Sequence, residues 1–411
     1  MSAEKAAALS LLSAEAVRAR AHRMLAVGLA DQLPHFGIEP TKLNVVADLV
    51  IATTRAAYPS LDVPFHSRWR HFVFGGEDRW ALLDAATKWE DRRARARAAF
   101  DLAIVSVLLD AGAPSDWRYR DRRSGQRVGR SEGLALASLA MFVQGAFSAD
   151  AADPLRVDAD ALARLSDGAL ERGFQVASGN PFPDIGTRAE LLRQLGRTIA
   201  AASGIFGLAD RPRPGGLFDV VLQGAQSSAA AAPAVLANVL HHFGPIWPSR
   251  LTLGGIPLGD CWRHPALASA DATDGLVPLH KLSQWLTYSL IEPLQAAGIG
   301  VTDIDGLTGL AEYRNGGLFV DTGVLQLRNP AEAAVVHDVS SELVVEWRAL
   351  TVALLDRLAD IVRQRMGLDA ASFPLARLLQ GGTWSAGRML AAELRPDGSP
   401  PIRVATDGTV F

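Results

Sequence analysis

The stretch from Leu279 to Leu294, L-H-K-L-S-Q-W-L-T-Y-S-L-I-E-P-L, places apolar side chains almost all the way round a helix. Leu279, Leu282, Leu286 and Leu290 leave only a narrow polar stripe, so the helix must be buried on most sides. The chain therefore has to wrap other elements around it, and most of what it offers has helical spacing. Apolar residues recur with that period over Ala14–Leu33, Thr41–Tyr58, Arg79–Ala98, Ala99–Ala111 and much of 133–214. A long amphipathic helix is expected over Ser341–Met366, with Leu343, Trp347, Leu350, Leu354, Leu358 and Ile361 on one face. Within it, E-W-R-A-L-T could put Glu346 or Arg348 into the interior, with solvent exposure the expectation for either one. Short strands are expected near Leu251–Leu258 and Leu318–Leu327, with no parallel sheet. The fold class is thus mainly α. At 411 residues, 49% of them hydrophobic, the chain suits one large domain over 1–411, or two intimately packed helical lobes.

Charge narrows the function. Forty-one Lys and Arg against 44 Asp and Glu give a net charge of -3, which supplies no basic field for nucleic acid or an anionic membrane. No run approaches the length of a membrane span, and the amino terminus lacks a signal-peptide pattern. One cysteine, Cys261, leaves no internal disulfide to form, and a reducing cytoplasm fits. Cys261 and His264 are two potential ligands, too few for a zinc site. Neither a metal nor a cofactor is expected.

The chemistry concentrates in L-T-G-L-A-E-Y-R-N-G-G-L-F-V-D-T-G-V-L, Leu307–Leu325. Glu312, Tyr313, Arg314 and Asn315 sit between apolar runs that tie both flanks to a core, and a buried charge needs partners. On the apolar helix, Lys281, Gln284 and Tyr288 fall at i, i+3 and i+7 and form one stripe, expected to line the same cavity as Glu312. A third cluster, P-F-H-S-R-W-R-H-F-V-F-G-G from Pro64 to Gly76, crowds Arg68, Arg70 and His71 among aromatic rings. There the arginines either stack on Trp69 and Phe72 or bind an anion. The polar segment Trp117–Gly133 reads as an arginine-rich loop ending at an N-cap near Ser131, and the run E-D-R-R-A-R-A-R as a solvated face. The tail, with G-G-T-W-S-A-G-R (Gly381–Arg388) and D-G-T-V-F (Asp407–Phe411), is expected to dock through Trp384 and Phe411.

The motifs S-R-W-R-H-F, R-S-E-G-L-A, P-L-H-K-L-S-Q-W-L-T-Y-S-L, L-T-G-L-A-E-Y-R-N-G-G, V-E-W-R-A-L-T-V, G-G-T-W-S-A-G-R and D-G-T-V-F together resemble the fourth component of the Urc uracil-catabolism pathway of fungi and bacteria. The likeness covers nearly the whole chain and implies a role in pyrimidine degradation. Separately, H-K-L-S-Q-W-L followed by A-E-Y-R is similar to the lysine-glutamine helix and acidic-Tyr-Arg motif of queuosine-salvage proteins. Those are N-ribosyl hydrolases acting on a nucleoside 5'-phosphate. That resemblance implies a helical fold like that of helix-hairpin-helix DNA glycosylases. This chain has Glu312 where those proteins have Asp, and Asn315-Gly316-Gly317 after the arginine where they have proline.

Cleaving an N-ribosidic bond passes through an oxocarbenium-like sugar, which calls for a carboxylate near the anomeric carbon. Glu312 is the candidate carboxylate and Lys281 its catalytic partner. Tyr313, Arg314, Asn315, Gln284, Tyr288, Arg68, Arg70 and His71 are the candidates for binding a phosphorylated ribosyl substrate. The expected activity is hydrolysis of a ribosylurea- or nucleotide-type phosphate. Two alternatives stay open: a phosphoribosyl transferase of the same pathway, for which no strand-loop-helix phosphate cradle is visible, and a non-catalytic partner of another pathway enzyme.

Overall fold

The computed structural model describes residues 2–110, 112–114, 116–207, 211–225, 228–247 and 251–405. In chain order its helices are α1 (Ala3–Leu11), α2 (Ala14–Leu29), α3 (Leu43–Ala57), α4 (Arg79–Ala86), α5 (Arg92–Leu108), α6 (Arg130–Val143), α7 (Ala159–Ala163), α8 (Asp167–Gly173), α9 (Ile185–Ala201), α10 (Ser203–Phe206), α11 (Leu217–Gly224), α12 (Ala232–Phe243), α13 (Lys281–Ala296), α14 (Tyr313–Asp321), α15 (Glu342–Met366), α16 (Leu375–Leu378) and α17 (Trp384–Leu394). The protein is mainly α, as its periodicity requires. Among the described residues no sheet exceeds two strands, and no helix is long and apolar enough to cross a membrane.

The chain divides into two compact units. The first holds the described residues up to 66, 251–284 and 303–405. The second holds 67–247 and 285–302, so the division falls inside α13, after Gln284. In the first unit α15 packs along α2 and α3. Ser341 caps α15 by accepting the Val344 N–H, and Gly367 ends it at φ 68°, which glycine adopts without strain. From Leu343 to Leu355 the helix is buried on every side. Glu346 and Arg348, expected in solvent, are 0% and 1% exposed. An amphipathic pattern read from one face could not anticipate partners waiting on the other.

Other boundaries also move. The expected helix Arg79–Ala98 is interrupted, because Asp91 accepts the Ala94 N–H at 2.7 Å and so starts α5 afresh. Its basic run is not fully solvated: Arg95 binds Asp84, and Arg97 holds Asp219 with two bonds of 2.8 Å. The N-cap of α6 is Gly129 rather than Ser131. Leu318 belongs to α14, which runs to Asp321, so the strand expected from Leu318 is confined to Leu325–Leu327, paired with Phe36–Ile38. The hairpin within Leu251–Leu258 forms, Thr252–Leu253 against Ile256–Pro257 around Gly254 and Gly255, both at positive φ.

Two three-residue pairs are parallel, against expectation: Gly300–Thr302 with Ala229–Ala231, and Val336–Asp338 with Arg403–Ala405. The latter anchors the chain up to Ala405, while Asp407–Phe411 lies outside the described residues. Between α16 and α17 the backbone opens into a π-helical turn, Leu379–Thr383.

Candidate functional site

The site of the first unit is built on a buried ion pair that joins the starts of two helices. Arg348, on α15, donates from both terminal nitrogens to Asp260, each bond 2.8 Å long. The same carboxylate accepts the Lys281 N–H at 2.9 Å and the Trp262 indole N–H at 2.7 Å. The Asp260 carbonyl accepts the N–H groups of Leu279 and His280. Asp260 thus closes the amino end of α13, where Lys281 is the first residue. Burial pushes the Asp260 carboxyl up, but the Arg348 guanidinium and these donors outweigh it and hold the group at about 2. The Arg348 Nε–H reaches the Ala311 carbonyl, at 3.3 Å, immediately before Glu312.

Gln284 makes a second tie between the same segments. Its side-chain carbonyl accepts the Thr308 N–H at 2.8 Å and its amide donates to the Thr308 hydroxyl at 2.5 Å. Fully buried, it is consumed in fastening the approach to α14 onto the first turn of α13.

Glu312 is the N-cap of α14. One carboxylate oxygen accepts the Arg314 N–H and the other the Asn315 N–H, both at 2.6 Å. The helix dipole favours negative charge at this point. Burial nevertheless raises the Glu312 pKa, opposed by these donors and by the charge of nearby Lys281. The result is a desolvated carboxylate, 8% exposed, with a half-buried lysine beside it. Behind it Gly316 lets Trp347 approach: a Cβ there would stand 2.8 Å from the indole, whose N–H donates to the Gly316 carbonyl.

The neighbours of Glu312 have specific tasks. Arg314 lies over the Tyr313 ring at 4.8 Å and donates to the Gly398 carbonyl at 2.9 Å. Asn315 is fully buried; its amide donates to the Leu310 carbonyl at 3.3 Å, while Oδ1 has no hydrogen-bond partner among the described residues.

Lys281, Gln284, Glu312, Tyr313, Arg314 and Asn315 all belong to the first unit, and Arg68, Arg70, His71 and Tyr288 to the second. There the Arg68 side chain is completely buried, paired with Asp110 at 3.0 Å and bonded to Ser106, His71 and the Ser131 carbonyl. Burial lowers its pKa, opposed by Asp110. Arg70 pairs with Glu292, which also accepts the Ser67 hydroxyl. His71 lies beside Trp285, ring centroids 5.9 Å apart, and Tyr288 is fully buried on α13.

Sequence reading did not single out Asp260, although the G-D-C-W-R-H segment displays it. Elsewhere in that segment Cys261 is buried and its thiol pushed up to about 12 by burial. His264 Nε2 lies 3.4 Å from Glu346. Among the described residues no group of His, Cys, Asp and Glu could hold a metal ion.

The architecture is that of a mainly helical protein in which the starts of α13 and α14 are tied together, with Lys281 and Glu312 close enough for their charges to interact. The chain belongs to the family described as "Protein of unknown function (DUF1688)", whose model matches residues 10–411. It is 39% identical over 412 residues to Protein urg3 of Schizosaccharomyces pombe (strain 972 / ATCC 24843), covering 98% of each chain. It is 37% identical over 411 residues to Uracil catabolism protein 4 of Lachancea kluyveri, covering 92% of each. The family named from the sequence motifs is thus the one these relatives represent.

Proposed function

We propose that the protein acts in uracil catabolism as an N-ribosyl hydrolase of a phosphorylated N-riboside, with a ribosylurea-type phosphate as the leading substrate. The observation that carries this reading is Glu312: a desolvated carboxylate, held by two backbone donors, next to a lysine. In the reaction the bond from the anomeric carbon to nitrogen breaks and its electron pair leaves on nitrogen, which takes up a proton. Water forms the new carbon-oxygen bond and gives up its proton. Ionised Glu312 stabilises the positive charge that develops on the sugar and orients the water. Lys281 supplies the cation for the substrate's anionic group.

The name of the Lachancea kluyveri relative, Uracil catabolism protein 4, supports the pathway, and the similarity of H-K-L-S-Q-W-L and A-E-Y-R to queuosine-salvage motifs supports the reaction class. The two 2.6 Å cap bonds also favour a competing reading, in which Glu312 serves only to start α14. Purified protein incubated with ribosylurea 5'-phosphate and with uridine monophosphate separates the two. Release of ribose phosphate that Glu312→Gln abolishes supports catalysis, and release by that variant at the wild-type rate leaves Glu312 a cap.

A further inference from the structure

The motif G-G-T-W-S-A-G-R has no part in the site described above, yet it occupies the one π-helical turn among the described residues, Leu379–Thr383. Such turns insert an extra residue and redirect the side chains around it. Two glycines seat this turn on α3. A Cβ on Gly382 would stand 2.4 Å from the Val50 side chain, and one on Gly381 3.1 Å from that of Thr54 and 3.0 Å from Val63, just beyond α3. So placed, the turn presents Gln380 to His66: the His66 Nδ1–H donates to Gln380 Oε1 at 3.0 Å, while the Gln380 amide reaches the Tyr58 hydroxyl. Because an amide oxygen can only accept, the neutral imidazole carries its proton on Nδ1. Trp384 follows, half-buried, its ring 6.1 Å from that of His66 and with Arg388 over it at 5.4 Å.

Helix α17 then runs alongside α14. Gly387 abuts α14 so closely that a Cβ would stand 2.2 Å from the Arg314 carbonyl oxygen. About two turns further along both helices Arg395 grips Asp321 with bonds of 2.8 and 2.6 Å. These two pins fix α14 and α17 as parallel, with their amino ends together. Trp384, three residues before Gly387 on the same face, is therefore level with the start of α14, which is Glu312.

We propose that His66, Gln380 and Trp384 form the subsite for the planar, amide-bearing leaving group of the N-riboside, a ureido group or a pyrimidine, alongside Glu312. Trp384 offers the flat indole ring, and His66, oriented by Gln380, an uncharged ring tilted against it. Burial and the charge of Lys281 keep that imidazole neutral, its pKa lowered to about 4, so it meets an uncharged amide without adding a second cation. The assignment rests on the hydrolase reading and names where the non-sugar half of the substrate lies.

The test compares binding by calorimetry of uridine monophosphate, ribosylurea 5'-phosphate and ribose 5-phosphate to wild type, Trp384→Leu and Trp384→Phe. Stacking on an aromatic side chain typically carries about tenfold or more in affinity. Trp384→Leu is expected to lose about that for the two ligands with a planar group and to keep wild-type affinity for ribose 5-phosphate, with Trp384→Phe recovering most of the loss. Equal weakening of all three ligands, unchanged binding of all three, or a wild type that binds none of them overturns the subsite. Selective loss in a protein that never releases ribose phosphate upholds the subsite and removes the hydrolase. Release of ribose phosphate with unchanged selectivity in Trp384→Leu does the reverse.

Discussion

Arg348 and Asp260 meet through two parallel 2.8 Å bonds in the interior of the first unit, and the pair holds the start of α13 against the approach to α14. Removing one member of a buried ion pair leaves an uncompensated charge, which costs about 3–5 kcal/mol. Arg348→Met and Asp260→Asn are each expected to destabilise the protein by that order, read from urea unfolding. The double variant should recover part of the loss.

The same pair sets an acid limit. The Asp260 carboxyl is held at about 2 in the folded protein against 3.8 ordinarily. Its folded pKa is depressed, so its contribution is complete above 3.8 and disappears as pH falls towards 2. An Asp260→Asn protein should show a flatter stability profile across that window.

His66 titrates in a higher window. Burial lowers its pKa from 6.5 to about 4, so between those values the unfolded chain binds a proton that the folded chain refuses. Stability contributed by neutral His66 is therefore complete above 6.5 and falls by roughly 3 kcal/mol as pH drops to 4. Replacing it with Gln should remove that part of the slope in denaturant melts at stepped pH.

Cys261 should be inert. Buried in the strand Cys261–Arg263, with its thiol pushed up to about 12, it offers almost no thiolate at neutral pH. Native protein is expected to leave a thiol reagent such as Ellman's unreacted over hours, and the urea-unfolded chain to react with one equivalent.

The helical class was legible because a period of 3.6 residues is a local property, visible in α13 and α15 without knowledge of what packs against them. Glu312 stood out because a charge between apolar runs is conspicuous at close range. Arg348 did not, because the Asp260 that neutralises it lies 88 residues away, and an arginine on a long helix looks the same whether its partner is a carboxylate or water. The break before Asp91 was hidden for a similar reason: its capping bond competes with helix continuation by a small margin that spacing alone does not weigh. In the tail, G-G-T-W-S-A-G-R was visible as a motif, but its glycines acquire meaning only through Val50, Val63 and the Arg314 carbonyl, which abut them in space.

The central claim is that ionised Glu312 stabilises positive charge on a ribosyl group, and its most direct measurement is the rate of ribose phosphate release against pH for wild type and Glu312→Gln. Because burial raises the Glu312 pKa, the active ionised form accumulates only above the ordinary carboxylate range. Wild-type kcat should therefore rise with pH along a limb displaced above 4.5. Glu312→Gln keeps the shape of the side chain without its charge, so it should melt cooperatively, bind substrate with similar KM and lose about 10²-fold or more in kcat, with that limb gone. A folded Glu312→Gln protein that releases ribose phosphate at the wild-type rate and with the wild-type pH profile would contradict the account.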